Sequence, residues 1–117
     1  MGLRHYITGA VTAFPKVVTP EIVSSACTEL GVSPTEFCDY FAKGVAGSYL
    51  DGQLSWLDAD AAMNALSGFF FVHLPKDAPF PDYAFGVFLA FDAGEMHAAP
   101  ENECVTRAQL AGLPPRA

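Results

Sequence analysis

The chain has 117 residues, with 13 Asp and Glu against 6 Lys and Arg for a formal net charge of −7, yet 51% of it is hydrophobic and only 16% charged. That composition excludes an acidic disordered tail, which lacks the apolar residues needed to offset chain ordering. A single domain over residues 1–117 is expected, long enough to bury roughly 65% of its unfolded surface without disulfide or metal staples.

Residues 1–18 read as irregular or extended, because Tyr6, Thr8, Val11, Thr12, Val17 and Val18 favour extended chain and Pro15 interrupts it. Thr19-Pro20-Glu21 then opens a helix over 20–30, with Thr as N-cap, Pro at the first helical position and an acid in the first turn. Ile22, Val23, Ala26, Cys27 and Leu30 form its buried stripe, and Gly31 closes it. Ser33-Pro34-Thr35-Glu36 has the form of a capping box for a second helix over 34–48. Phe37, Phe41, Val45 and Tyr49 keep its apolar side inward, while Gly44 and Gly47 weaken its last turns or permit close packing.

Asp51-Gly52 marks a turn, and Ser55 or Asp58 caps a third helix over 57–72, which Pro75 ends at the latest. A proline-rich connector follows over 75–81. The fourth helix, over 81–93, is apolar around its whole circumference and is therefore expected at the centre, with Gly94 as its closing residue. A last short helix starts at Thr106 with Gln109 as capping partner, and 112–117 is a tail. The predicted class is all-α, a bundle of four principal helices around 81–93. The alternative is an α+β domain in which 69–74 and 84–91 pair as a small buried hairpin, although Gly86 weakens a strand there.

Cys27, Cys38 and Cys104 are odd in number and contain no CxxC pair, so no disulfide framework is expected. Residues 1–14 lack the pattern of a signal peptide, and Tyr6 stands where myristoylation of Gly2 asks for Ser or Thr. The longest apolar runs, 69–72 and 83–91, fall far short of the roughly 20 residues that span a bilayer. A cytoplasmic protein with no membrane partner is the expectation. Charge is concentrated in residues 44–105, where nine acids face Lys76 alone and leave −8. Such a surface repels nucleic acid and anionic lipid and attracts cationic partners.

Residues 22–41, with Gly31 in the turn and Ser33 opening the second helix, resemble the helix-turn-helix of transcription regulators. The would-be recognition helix offers Glu36, Asp39 and Tyr40 to a groove and only Lys43 as a cation, so no nucleic acid partner is expected. Asp58-Ala59-Asp60 lacks the ligand and glycine that a calcium loop needs at Ala62 and Met63. Asp92, Glu95 and His97 miss the Glu-x-x-His spacing of a di-iron bundle. G-x-S-x-G, H-E-x-x-H and phosphate-cradling glycine loops are absent, Cys104 has only Arg107 as a basic neighbour, and His73 ends an apolar run. No catalytic residue, metal site or cofactor is assigned, and enzyme activity is not expected.

The stretch 49–60 sets Tyr49 and the single Trp, Trp56, among Asp51, Asp58 and Asp60. Aromatic anchors ringed by acids suit contact with a basic protein, the rings supplying burial and the acids supplying rate and orientation. Packing of Trp56 in the core is the competing reading. Tyr49, Asp51, Trp56, Asp58, Asp60, Asp92 and Glu95 are the expected partner-binding residues. The profile is that of an acidic protein-binding module, most concretely an immunity-type protein neutralising a basic toxin. The alternatives are a small-ligand or metal-binding helical domain and a catalytically silent homodimeric scaffold.

Overall fold

A computed structural model describes residues 3–13 and 18–114. Among them are six helices and no strand: α1 (Leu3–Ala13), α2 (Pro20–Leu30), α3 (Pro34–Leu50), α4 (Trp56–Val72), α5 (Asp82–Gly94) and α6 (Glu101–Ala111). The all-α class holds. The hairpin alternative does not, because 69–72 lies within α4 and 84–91 within α5.

Three helix starts follow local chemistry. Thr19 Oγ1 accepts the Ile22 N–H, and Gly31, at a φ of 67°, turns its own N–H back to the Cys27 carbonyl. At α3 the box is closed in both directions, Ser33 Oγ accepting from Glu36 N–H at 3.1 Å and Glu36 Oε1 from Ser33 N–H at 2.9 Å. Ser55, rather than Asp58, caps α4 by accepting the Asp58 N–H. The start of α5 is not local. Pro81 offers α5 no side-chain cap, and Asp39 of α3 supplies one instead, its Oδ1 accepting the Ala84 N–H at 3.0 Å.

Several expectations are corrected. The described part of 1–18 includes a helix where extended chain was expected: α1 buries Ile7 and Ala10 against α3 and α4. Tertiary burial of that stripe outweighs the weak helix propensity of Thr8, Gly9 and Val11. Pro15 and Val17 lie outside the described residues. α6 begins five residues before Thr106, with Glu101 and Glu103 in its first turn where the macrodipole favours acids. Of the expected tail, 112–114 is described, and Leu113 packs closely against Gly86.

The helix over 82–94 is not the centre. α3 occupies that place, packing against α1, α2, α4 and α5 with Phe37, Phe41, Val45 and Tyr49 buried. α5 packs against α3, α4 and α6 through Ala84, Val87, Ala90, Phe91 and Gly94, while Leu89 is exposed and Phe85 and Phe88 are half-buried. Its apolar circumference therefore reaches solvent on one side. Gly94 has a packing role, because a Cβ there would lie 2.5 Å from Thr106 Oγ1 and 2.9 Å from the Asn102 carbonyl of α6.

Candidate functional site

α4 and α5 run antiparallel and share a solvent-facing side. On α4, Asp60, Asn64 and Phe71 fall on one side of the helix, and on α5 the same holds for Phe85, Phe88, Asp92 and Glu95. At one end Phe71 lies edge-on to Phe85 at 5.8 Å and to Phe88 at 5.6 Å between ring centroids, and Phe80 of the connector closes on Phe85 at 5.6 Å. At the other end Asn64 Nδ2 donates to Glu95 Oε2 at 3.0 Å and, more weakly, to Asp60 Oδ2 at 3.4 Å. Aromatic surface thus passes into acidic surface along one helix pair. Neither helix contains a Lys or Arg.

Asp60 is the electrostatic centre of the acidic end. Burial pushes its carboxyl up to about 8, aided by a hydrogen bond with Glu95 and by the negative charges of Glu95 and Asp92. At neutral pH it therefore holds a proton and bonds to Glu95. A cation brought to this end would favour the ionised form and relieve the crowding of carboxylates.

The expected partner-binding residues divide into two groups. Asp60, Asp92 and Glu95 come together as described. Asp51 and Asp58 are exposed at the corner between α3 and α4. Tyr49 and Trp56 are corrected: at 2% and 9% exposure they are interior residues, not anchors for a partner. Their rings pack on Phe91 at 5.4 and 6.2 Å. Trp56 Nε1 donates to Thr106 Oγ1, which in turn donates to the Ala90 carbonyl, both at 2.9 Å. Tyr49 donates to Glu103 Oε1 at 2.7 Å under the Arg107 guanidinium, and its hydroxyl is pushed up to about 12 by burial and then by Glu103. These groups fasten α6 to the rest of the fold, since a buried indole or phenol needs a polar partner.

The exposed apolar residues escaped the sequence reading. Leu57, Phe71 and Val72 are 73%, 53% and 71% exposed. The available signal was the second apolar row of α4, which runs opposite Met63 and Leu66 and leaves few polar residues on the outer side of the helix.

Other features are less organised. Among the described residues no three His, Cys, Asp or Glu side chains are placed to hold a metal ion; His97 Nδ1 faces Glu101 Oε2 at 3.6 Å instead. Burial pushes the Cys38 thiol up to about 12, which disfavours the reactive thiolate. A cleft of about 420 Å³ between α1 and α2 is lined by His5, Tyr6, Val18, Glu21 and Ile22 among others, with the Tyr6 hydroxyl engaged by Glu29. α2 and α3 do flank the Gly31 turn; α3 buries Phe37, Cys38, Phe41, Ala42 and Val45 on one side and exposes Glu36, Tyr40 and Lys43 on the other. No described helix is long and apolar enough to cross a membrane. No family model, characterised protein or solved structure matches the chain.

Proposed function

We propose that the protein is an acidic protein-binding module that engages a basic protein partner, in its most concrete form an immunity-type protein covering the cationic site of a toxin. The observation that supports this reading is the α4–α5 side, which carries exposed phenyl rings at one end and Asp60, Asp92 and Glu95 at the other on two helices without a Lys or Arg. Apolar contact supplies affinity in such an interface, and the acids supply steering and orientation. The anchors in this reading are Phe71, Phe80 and Phe85 in place of the interior Tyr49 and Trp56.

The test is capture of the partner from extract of the source cell, identification by mass spectrometry and measurement of the purified pair. The identified partner should be basic, and its association rate should fall about tenfold or more between low and high salt, as for electrostatically steered pairs. A partner of acidic or neutral surface, or a rate indifferent to salt, would refute the electrostatic reading.

A further inference from the structure

α4 carries two apolar stripes. The inner one, through Ala59, Met63, Leu66 and Phe70, is buried in the core. The outer one runs through Leu57, Ala61, Asn64, Gly68 and Phe71 at alternating spacings of four and three, which is the a/d spacing of a helix-packing seam. Surface helices ordinarily present polar residues on this side. Here every outer position except Asn64 is apolar or glycine, and the two ends, Leu57 and Phe71, are exposed together with Val72. Ala61 and Gly68 add little side-chain bulk, which lets another helix approach closely. The stripe is about 21 Å long at the rise of an α-helix, and the Phe85, Phe88 and Asp92 row of α5 borders it.

We propose that this stripe and the adjoining row of α5 form a docking groove for an amphipathic helix of the protein partner, a helix apolar along one side and bearing Lys or Arg at the end that meets Asp60, Asp92 and Glu95. The proposal rests on the reading of the protein as an acidic binding module and adds the form of what is bound. Charge complementarity fixes the polarity of the occupant: its cations belong beside the carboxylates, its apolar end beside Phe71 and Phe85. A second copy of the chain fits poorly. Two stripes paired parallel would set carboxylates on carboxylates, and paired antiparallel would set carboxylates on phenyl rings, within a dimer of two chains each at −7.

The experiment uses synthetic Ala-based helical peptides with a Leu stripe and, at one end, Lys, Gln or Glu, titrated into the isotope-labelled full chain and followed by nuclear magnetic resonance. The Lys-ended peptide should bind about tenfold more tightly than the Gln-ended one at low salt, a difference of about 1.4 kcal/mol. It should shift amides along 57–72 and 85–95. Phe71→Ser, and separately the exposed Val72→Ser, should weaken all the peptides that bind, and Asp60→Asn with Glu95→Gln should erase the preference for Lys. Circular dichroism of each variant checks its fold.

Equal binding of all three peptides would overturn the acidic-module reading itself. A Lys preference untouched by Phe71→Ser and Val72→Ser would leave that reading standing and overturn the groove. Absence of binding by every peptide would also overturn the groove, as would a wild-type dimer in sedimentation that Phe71→Ser converts to monomer.

Discussion

At Gly94 the α5 and α6 backbones come so close that one methyl group decides the packing. The Cβ of an alanine there would meet Thr106 Oγ1, the Asn102 carbonyl and the Trp56 ring at 2.5, 2.9 and 3.0 Å. Backbone cannot yield cheaply, so Gly94→Ala should lower stability by roughly 1–3 kcal/mol despite the better helix propensity of Ala. Urea denaturation measures it; an unchanged midpoint would mean that α6 sits further out. Asp60 gives a second test at the same scale. Its carboxyl stays protonated to about 8 in the fold against an ordinary value of 3.8, so the native state holds the extra proton throughout that window. Stability therefore falls as pH rises from about 4 towards 8, and the favourable contribution is complete only below about 4. In Asp60→Asn this slope disappears. Melting temperatures of the variant and wild type should diverge in favour of the variant as pH rises, and parallel curves would contradict the assignment.

Among the elements, helix starts differ in how far their capping groups travel. Thr19, Ser33 and Ser55 cap their own helices from adjacent sequence, which is why those starts are legible from residue order alone. The cap of α5 comes from Asp39, 45 residues earlier, and no local signal announces it. Asp39→Ala should cost about 1 kcal/mol and raise hydrogen exchange in the first turn of α5 before the rest of the helix. Uniform protection across α5 in the variant would contradict the tertiary cap. Thr106 illustrates the same distance effect in reverse. Followed by Gln109 it has the form of an N-cap, but its hydroxyl bonds to Ala90, 16 residues back, and receives the Trp56 N–H from 50 residues away. Only the assembled fold places it in mid-helix. α1 was legible in principle, since Tyr6, Ile7, Ala10 and Val11 have helical spacing, but β-branched residues and Gly9 hide it from a propensity argument.

For the whole molecule, the distribution of acid is visible in the sequence, whereas the exposed aromatic residues that share its helix pair are not. Residues 44–105 have a formal charge of −8 that can be counted without knowing the fold. Which aromatics stand next to that charge depends on α4 and α5 pairing antiparallel, a long-range event that buries Tyr49 and Trp56 and leaves Phe71 and Phe80 outside. The sequence makes 81–93 apolar around its whole circumference, but burial on all sides and an unpartnered apolar side look alike in one dimension. The central claim is that the acidic end of this side chooses the charge of what binds. Its most direct test is charge reversal, Asp92→Lys with Glu95→Lys, both exposed positions, assayed with the Lys-ended and Glu-ended helical peptides at low salt. The reversed protein should prefer the Glu-ended peptide by about as much as the wild type prefers the Lys-ended one. A preference for Lys that survives the reversal would contradict the claim.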